Sequence, residues 1–429
     1  MRNTGRPYLY LIGTTFPFGF QEPFIETELK YIAPFFKTVY VVIPESQNIS
    51  NRQARYALPE NVEVVLLKCA PKTKYKFKGL LRFFHPSFRQ EIQLIRGHLK
   101  LKFSLKLARI LVGYFSMACA FKNELERVIS HKQHKPSEVT LYSYWITYAT
   151  AGIALMREQN KAYHAVSRTH GWDCFFDRSS DNYLPLRYWL SQHLNSICPV
   201  TQAGFDHLLK KLPDVDESKL RVHKLGVEQL AENNLSTYTP GMLRILTISF
   251  VQPVKRIELL VNALAEITDI PIEWVQIGDF LPETQWIQRA IETKLSTNKN
   301  IQYTFLGALT NLEVQQYLAE HKSDFLVCTS SSEGLPVSMM EANCYGIPVV
   351  STAVGGVPEI IHHGLNGFLL SPNPTIHEIS KQLRELASIS PADYLLLQQA
   401  GYQIYQQQYC SKTNMERFAV EELNGTRPA

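Results

Sequence analysis

The chain alternates short apolar runs rich in β-branched and aromatic residues with helical stretches, and this alternation limits the fold more than any other feature. Before residue 225 the apolar runs are YLYLIG, TVYVVIP, VEVVLL, TLYSYW, HAVSRT and SICPVT. After a polar interruption they are RILTIS, IEWVQIG, IQYTFLG, DFLVCTS and IPVVST. Strand-like runs that alternate with helical ones predict parallel sheets with helices on both faces. The sequence therefore predicts an α/β, doubly wound fold.

Length and the polar interruption predict two domains. A chain of 429 residues exceeds what one hydrophobic core usually serves. The stretch LGVEQLAENNLSTYTPG breaks the alternation, and a new strand begins at Leu243. We expect an N-terminal domain over 1–226, a C-terminal domain over 227–405, and a helix over about 406–429 that packs back on the first domain. Two such domains facing each other would form a cleft lined by strand C-termini.

Composition and the N-terminus narrow the class of protein. With 45% apolar and 19% charged residues, the chain is typical of globular proteins. The start, MRNTGRPYLYLIG, leads into a strand without a long apolar signal segment, and no uncharged apolar run reaches about 18 residues. We therefore expect a cytoplasmic protein. The seven cysteines are scattered without any C-x-x-C spacing, which indicates reduced core residues.

One segment is strongly basic. Between Lys68 and Arg109, twelve lysines and arginines face a single acid, Glu91, and phenylalanines and leucines are interleaved with them. This pattern is typical of a segment that dips into headgroups while it pairs with anionic lipid. It also fits a solvated helical face whose apolar side lies in the core, and both interpretations stay open. We take about 72–109 as a candidate contact with an anionic membrane, at the inner face of the cell membrane. Nucleic acid is not expected, because no recognition motif accompanies the charge.

Two glutamates, Glu333 and Glu341, stand eight residues apart around a predicted helix start. Residues 323–329 read as a buried parallel strand, and a helix should begin near Pro336. A helix N-terminus after a parallel strand favours a bound anion such as a diphosphate. Carboxylates repel a diphosphate unless they accept hydrogen bonds from hydroxyls attached to it, so the pattern indicates a nucleotide-sugar. The alternative is a capped loop in which Glu333 interacts with the helix dipole.

The surrounding residues favour the first interpretation. The stretch SEGLPVSMMEANCYGIPVVSTAVGGVPEIIHHGLNGFLL (332–370) resembles the retaining glycosyltransferases of family 4, with their E-x7-E block followed by G-x-P-V-V, G-G-x-P-E and N-G-F. Supporting matches are FPFGFQEPFIETELKYI (16–32), SRTHGWD (167–173), LRVHKLGV (220–227), PVKRIELLVNAL (253–264), IGDF (277–280) and FLGAL (305–309). The resemblance covers most of the chain and implies the glycosyltransferase-B architecture of two facing Rossmann-like domains.

In the C-terminal domain the resemblance implies a donor site. Glu341 matches the carboxylate that binds the ribose, and Glu333 matches the residue at the donor sugar's hydroxyls beside the leaving phosphate. Where the family commonly has a glycine, this chain has Pro336, so one main-chain donor is absent and sugar preference is expected to shift. The main-chain N–H groups expected to meet the sugar hydroxyls and the diphosphate are those of Gly334, Leu335 and Val337.

A second departure concerns the cations at the leaving diphosphate. The family commonly shows G-R followed a few residues later by K-G, and the matching positions here are Ser249, Phe250, Lys255 and Arg256. The lysine is retained, and we expect Arg256 to replace the missing guanidinium. The alternative is an ordinary basic helix start, which the helix dipole disfavours.

The remaining candidates come from both domains. The resemblance implies that Gly19 brings main chain close to the donor phosphates and the acceptor, and that His170 hydrogen-bonds the donor sugar. Arg168 and Asp173 flank the histidine and are candidates for orienting its ring or touching the acceptor. The loop of Gly307 to Leu309 resembles the one whose main chain meets the base.

The activity implied by the resemblance is transfer of a sugar from a UDP- or GDP-linked donor to a hydroxyl, with retention of the anomeric configuration. Glu333, Lys255 and His170 are the candidate catalytic residues. No protein nucleophile is required, because the leaving phosphate helps take the acceptor's proton. A lipid-linked or growing surface glycan is the expected acceptor, since it would suit membrane proximity.

We expect neither a cofactor nor a metal ion. Asp214-Val215-Asp216 matches the D-x-D pattern of a different glycosyltransferase fold, but it lies in a polar loop ahead of a strand. His362 and His363 are adjacent in sequence, a poor spacing for one metal, and we assign them to a turn. Two alternatives to a transferase stay open. One is a nucleotide-sugar epimerase or phosphorylase on a similar fold, and the other is a catalytically silent scaffold that binds a partner.

Overall fold

A computed structural model of the chain describes residues 5–19, 22, 24–44, 54–69, 86–230, 238–296 and 298–424. Contacts divide the chain into two compact units. The first is formed by Met1–Leu225 together with Ser411–Ala429, and the second by Gly226–Cys410.

The first unit contains, among its described residues, a parallel sheet of six strands in the order β3-β2-β1-β4-β5-β6. The strands are β1 (Tyr8–Ile12), β2 (Thr38–Pro44), β3 (Val62–Leu67), β4 (Val139–Ser143), β5 (His164–Thr169) and β6 (Ser196–Pro199). Its described residues before the second unit form the helices α1 (Phe24–Ile32), α2 (Pro86–Gln93), α3 (Leu105–His131), α4 (Tyr148–Gln159), α5 (Gly171–Cys174), α6 (Arg187–His193) and α7 (Gln202–Lys211).

The second unit repeats this arrangement, and its described residues form a six-stranded sheet in the order β12-β11-β10-β7-β8-β9. Its strands are β7 (Leu243–Ile248), β8 (Ile272–Ile277), β9 (Ile301–Gly307), β10 (Phe325–Cys328), β11 (Val349–Thr352) and β12 (Gly367–Leu370). Its helices are α8 (Ile257–Ala265), α9 (Gln285–Leu295), α10 (Asn311–Glu320), α11 (Val337–Cys344), α12 (Val357–Ile360), α13 (Ile376–Ala387) and α14 (Pro391–Ile404).

Each sheet has the strand order of a Rossmann fold, which confirms the predicted α/β, doubly wound class. The strands read as continuous apolar runs because helices cover both faces of a parallel sheet, and Leu9, Tyr10 and Leu11 in β1 are fully buried. The winding direction reverses between β1 and β4 in the first unit and between β7 and β10 in the second. Ligands of such sheets bind outside the strand carboxyl ends at this switch point.

The end of the chain returns to the first unit as α15 (Ser411–Phe418). The Thr140 hydroxyl donates a hydrogen bond to the main-chain oxygen of Leu423 at 2.8 Å. The buried guanidinium of Arg168 lies 4.1 Å from the centre of the Phe418 ring. The C-terminal segment therefore completes the core of the unit in which the chain begins.

The basic segment contributes to both the core and the surface. Its part over 70–85 lies outside the described residues. Phe88 is fully buried, and the buried carboxyl of Glu91 accepts a hydrogen bond from the Tyr183 hydroxyl at 2.6 Å. Burial raises the pKa of Glu91 to about 7, although this hydrogen bond acts in the opposite direction. The exposed residues of its described part include Arg89, Arg96, Lys100, Lys102, Leu105, Lys106 and Arg109. None of the helices in the described ranges is long and apolar enough to cross a bilayer.

Candidate functional site

An ion pair lies at the switch point of the second unit. Lys255 belongs to the short turn after β7, and Glu333 lies in the loop after β10. The lysine Nζ is 2.7 Å from Glu333 Oε1. The lysine side chain is 25% exposed and the glutamate 9%, so the pair is shielded but can be reached from solvent. Because β7 and β10 are neighbouring strands, the sheet brings these two predicted catalytic residues together across 78 positions of sequence.

The helix start beside this pair offers unpaired main-chain donors. Helix α11 begins at Val337 with Pro336 as its N-cap, as the sequence predicts. Within the described part of the chain, the N–H groups of Gly334, Leu335 and Val337 have no acceptor. Unpaired N–H groups and the positive end of the helix dipole favour an anion at this position.

A small cavity connects the ion pair with the helix start. It lies between the carboxyl ends of β7 and β10, and its polar lining includes Ser249, Lys255, Thr329, Ser330 and Ser338. Its volume suits about one water molecule. A group as large as a diphosphate would not fit inside it.

A glycine pair supports the loop that carries Glu333. Gly355 adopts a φ of +55°, and a Cβ there would lie 1.9 Å from the main-chain oxygen of Glu333. The neighbouring Gly356 N–H donates to the main-chain oxygen of Gly334 at 2.9 Å. Both the left-handed backbone and the close approach require glycine at position 355. The G-G-x-P-E motif thus fixes the position of the first glutamate of the E-x7-E block.

Glu341 is buried one turn inside α11, and its Oε1 accepts a hydrogen bond from Gln315 Nε2 at 3.1 Å. Burial raises the pKa of the Glu341 carboxyl to about 7, although this hydrogen bond acts in the opposite direction. Hydroxyls that donate to the carboxylate would stabilise its ionised form. A ribose diol supplies two such donors.

Gln315 is a site residue that the sequence analysis missed. It lies on α10, and its buried Oε1 has no hydrogen-bond partner among the described residues. A buried unsatisfied acceptor beside Glu341 suits a ligand that carries hydroxyls. No motif marks this glutamine, and its contact with Glu341 depends on how two helices meet.

The Arg256 guanidinium is hydrogen-bonded to loops of the protein itself. The Arg256 backbone has a φ of +49°. The guanidinium donates to the main-chain oxygens of Thr329 at 2.6 Å, Ser330 at 2.9 Å and Pro372 at 2.9 Å, and to Asn373 Oδ1 at 3.2 Å. These four bonds commit most of its donors to holding the loops after β10 and β12. The replacement of the missing phosphate-binding arginine by Arg256 stays a prediction.

The position at which the resemblance implies that arginine is occupied by Phe250, which is 52% exposed. The preceding residue, Ser249, packs so closely on Gly278 that a Cβ there would lie 2.1 Å from the Ser249 oxygen. The Gly278 N–H donates to the Gly307 oxygen at 2.7 Å, which joins the ends of β8 and β9. Gly307 adopts a φ of +73°, and Leu309 is half-buried. The predicted contact of the loop from Gly307 to Leu309 with a base stays a prediction.

In the first unit, the loop after β1 is organised by Glu22, which the sequence analysis also missed. Its buried carboxylate accepts hydrogen bonds from the N–H groups of Thr14, Thr15 and Phe16 at 2.6–3.0 Å. It also accepts one from Trp145 Nε1 at 2.7 Å. A carboxylate of the chain itself therefore satisfies the main-chain donors at this switch point, where many Rossmann folds bind phosphate.

Gly19 closes the same loop. Its N–H donates to the main-chain oxygen of Thr15 at 3.0 Å, and a Cβ on Gly19 would lie 2.6 Å from the Thr15 side chain. The packing of the loop alone accounts for the glycine. Its predicted approach to the donor phosphates stays a prediction.

His170 follows β5 and is 8% exposed. Its ring stacks on Tyr144 at 4.7 Å and lies 4.2 Å from the ring of Trp145. Neither ring nitrogen has a hydrogen-bond partner among the described residues. Burial and, second, the charge of Arg168 hold the pKa of His170 well below its usual value. A neutral imidazole with both nitrogens unpaired can donate one hydrogen bond and accept another from a ligand.

The two residues flanking His170 contact groups other than its imidazole ring. Arg168 is fully buried with its Nη1 3.8 Å from Glu28 Oε2. The Asp173 carboxylate accepts hydrogen bonds from the main-chain N–H groups of His170 at 2.6 Å and Ile146 at 2.8 Å. Neither side chain hydrogen-bonds the imidazole.

One group of metal-ligating side chains occurs among the described residues. The ligand atoms of Cys198, His223 and Glu422 lie within 4.8 Å of one another and are buried. Glu422 accepts a hydrogen bond from the Ser196 hydroxyl at 2.5 Å and lies 3.4 Å from an Arg221 nitrogen. These contacts join the C-terminal segment to β6. The group therefore has a structural role in this unit.

The D-x-D pattern at 214–216 and the adjacent histidines His362 and His363, which we did not assign to a metal site, take part in local hydrogen bonds. Asp216 Oδ1 accepts hydrogen bonds from the N–H and hydroxyl groups of Ser218 at 3.0 and 2.6 Å. His363 Nδ1 accepts one from the Leu369 N–H at 3.1 Å. All seven cysteines carry free thiols.

Residues 240–403 match the family model of the glycosyl transferases group 1. The N-acetyl-alpha-D-glucosaminyl L-malate synthase of Bacillus anthracis is 32% identical over 132 residues, which are 30% of this chain and 32% of that protein. The O-antigen biosynthesis glycosyltransferase WbnH of Escherichia coli is 26% identical over 204 residues, 47% of this chain and 54% of that protein. The match thus spans about a third to a half of these curated relatives.

Among solved structures, HepE of Anabaena in complex with UDP and glucose superposes with a TM-score of 0.63 at 16% identity, covering 98% of this chain and 100% of that one. This likeness concerns the fold, and it agrees with the predicted two-domain α/β class. The range matched by the family model contains Lys255, Glu333 and Glu341. Over residues 240–403, this chain is similar to the glycosyl transferases group 1 family.

Proposed function

We propose that the chain is a retaining glycosyltransferase that moves a sugar from a UDP- or GDP-linked donor to a hydroxyl. The observation that carries the proposal is the Lys255–Glu333 pair beside the unpaired N–H groups of α11, at the switch point of the second unit. UDP in the HepE structure supports a nucleoside diphosphate as the ligand class. The named activity of WbnH supports a surface glycan or its lipid-linked precursor as the acceptor.

In this proposal the positively charged groups bind the diphosphate and the carboxylates bind hydroxyls of the donor. The Lys255 ammonium and the N–H groups of the helix start stabilise the negative charge that develops on the leaving diphosphate. Glu333 accepts hydrogen bonds from donor-sugar hydroxyls, and its pairing with Lys255 lessens its repulsion of the diphosphate. Glu341 accepts hydrogen bonds from the ribose, and His170 binds a sugar hydroxyl. Because the chain's own groups handle the leaving charge, we propose that transfer needs no metal ion.

Retention follows in this proposal from attack on the face of the sugar that the diphosphate leaves. The leaving phosphate takes the acceptor's proton, so no side chain has to act as a nucleophile. Proton NMR of the product reads the anomeric coupling constant directly. A product of inverted configuration would contradict this part of the proposal.

A donor screen by thermal shift tests the binding site. We expect at least one UDP- or GDP-sugar to raise Tm, because a ligand at 100 times its Kd stabilises the folded state by about 2.7 kcal/mol. Glu341→Ala should abolish the shift for that donor. The absence of a shift with every donor would favour the silent scaffold. Nucleotide release that does not depend on an acceptor would favour the epimerase.

We also propose that the exposed basic residues Arg89, Arg96, Lys100 and Lys102 contact anionic lipid at the inner face of the cell membrane. Leu105, in the same segment of the chain, is 79% exposed, which supports contact with headgroups. Each basic residue near an anionic surface contributes about 1 kcal/mol.

Co-sedimentation tests this contact with vesicles of phosphatidylglycerol and with vesicles of phosphatidylcholine. The double variant Lys100→Glu with Lys102→Glu should lose most of the bound fraction on the anionic vesicles. Equal sedimentation of this variant and the wild type would return the segment to a solvated face.

A further inference from the structure

One tryptophan near His170 in sequence is exposed to solvent, although burial of a large apolar side chain normally stabilises the folded state. Trp172 lies on α5 and is 53% exposed. Its ring centre is 5.4 Å from that of Trp145, with an angle of 34° between the planes. Trp172 therefore presents part of its indole to solvent while a second indole lies beside it.

Trp145 is fixed by its neighbours. Its Nε1–H donates to Glu22 at 2.7 Å, and Glu22 is held by the main chain of the loop after β1. Its ring lies 4.2 Å from that of His170. The exposed indole of Trp172 thus rests on a support with little freedom to move, which lowers the entropy that a ligand must remove on binding.

The same cluster contains buried polar atoms that need a ligand. His170 is more than nine-tenths buried, and neither of its ring nitrogens is hydrogen-bonded among the described residues. A ligand that satisfies them must carry groups that donate and accept hydrogen bonds. An apolar surface beside unpaired polar atoms matches a pyranose, which has faces of C–H groups and a rim of hydroxyls.

We propose that Trp172, supported by Trp145, stacks against a pyranose ring of the carbohydrate acceptor. This inference rests on the proposed glycosyltransferase function and adds a specificity-determining residue to it. The donor residues Lys255, Glu333 and Glu341 belong to the second unit, whereas the indole platform belongs to the first. The donor contact expected in the first unit is a hydrogen bond from His170 to a sugar hydroxyl, which uses one of its two unpaired ring nitrogens and no aromatic face. We therefore assign the ring stacked on Trp172 to the acceptor and not to the donor.

Steady-state kinetics of Trp172→Ala and Trp172→Phe test the proposal. The alanine variant should raise the acceptor KM about tenfold, in line with the loss of one stacked ring. Its kcat and donor KM should stay within twofold of the wild type, and the phenylalanine variant should recover most of the affinity. Trp286→Ala is the matched control, because Trp286 is 57% exposed but lies on α9 of the second unit. An unchanged acceptor KM in Trp172→Ala, or a raised donor KM in its place, would overturn the proposal.

A binding measurement separates this inference from the proposed function. The protein labelled with 5-fluorotryptophan has five reporter residues, and single Trp→Phe variants assign their fluorine resonances. Titration with methyl α-glucopyranoside and methyl α-galactopyranoside should shift the resonance of Trp172 and leave that of Trp286 in place. If no donor supports transfer but the Trp172 resonance shifts with a glycoside, the result supports the stacking platform and contradicts the transferase assignment. If transfer proceeds and Trp172 responds to neither glycoside, the platform is wrong.

Discussion

Donor binding should strengthen as the pH rises through neutrality, because Glu341 must ionise to accept two hydrogen bonds from a ribose. Burial raises the pKa of Glu341 to about 7 in the absence of a ligand. With that pKa, the ionised fraction is about one tenth at pH 6 and about nine tenths at pH 8. If the ionised form alone binds, the Kd of the donor falls about tenfold over this interval.

Titration calorimetry with the nucleotide-sugar found in the screen measures this dependence. An intact nucleotide-sugar suits the assay better than a free nucleotide, because its diphosphate is esterified at both ends and does not titrate near neutrality. In buffers of different ionisation enthalpy, binding at pH 7 should release about half a proton per donor. Glu341→Gln keeps the shape of the side chain and should show weak binding that does not vary with pH. A wild-type Kd that is equal at pH 6 and pH 8, without proton release, would refute the reasoning.

The same pKa has a consequence for stability. The folded protein holds the Glu341 proton up to about pH 7, whereas an unfolded glutamate loses it near 4.5. The stabilisation of the folded state by the protonated Glu341 is therefore fully present below pH 4.5 and is lost as the pH rises to 7. A pKa that rises from 4.5 to about 7 on folding changes the free energy of unfolding by about 3 kcal/mol, since each pH unit corresponds to about 1.36 kcal/mol. In urea unfolding, the stability of Glu341→Gln relative to wild type should rise by up to this amount between pH 4.5 and pH 8.

Three further predictions concern the residues around the ion pair. Lys255→Ala should lower kcat by a factor of about 10²–10³, which is the usual effect of removing a group that stabilises charge in the transition state. The control is Lys381→Ala, which removes an exposed lysine and should leave kcat unchanged. Gly355→Ala should lower both Tm and activity, because the added Cβ would lie 1.9 Å from a main-chain oxygen. Gly364→Ala is the control, because Gly364 also has a positive φ but has open space around it. An equal loss of Tm and activity in the two variants would contradict the close-packing argument. Arg256→Ala should lower Tm by several degrees while the donor Kd stays within twofold, because its four hydrogen bonds hold loops together. A tenfold weaker donor Kd with an unchanged Tm would support its predicted role at the phosphate.

The sheets could be predicted from sequence because parallel strands covered on both faces leave continuous apolar runs. The runs TVYVVIP, VEVVLL, HAVSRT and IQYTFLG coincide with β2, β3, β5 and β9. The sequence analysis missed β12, Gly367–Leu370, which has only four residues and occupies the edge of its sheet. Its first residue packs on β11 so closely that a Cβ would lie 2.2 Å from the Val349 oxygen. This contact requires glycine, a residue that is otherwise depleted in strands.

The meeting of Lys255 and Glu333 could also be predicted, since both follow strands that lie side by side in this strand order. The hydrogen bonds that Arg256 makes within the protein could not, because a basic residue at a helix start looks the same whether it faces a ligand or carbonyl groups of the chain. Glu22 and Gln315 were missed for a related reason. Their importance comes from what they contact across the fold, and neither belongs to a local pattern that predicts it.

Transfer of labelled sugar to an acceptor tests the central claim most directly. Wild-type protein, the donor identified in the screen and a lipid-linked or polysaccharide acceptor should give labelled product together with an equal amount of nucleoside diphosphate. Lys255→Ala and Glu333→Ala should both lower this rate by at least about a hundredfold while the protein remains folded. Product formation at the wild-type rate in both variants would contradict the assignment of the ion pair as the catalytic centre.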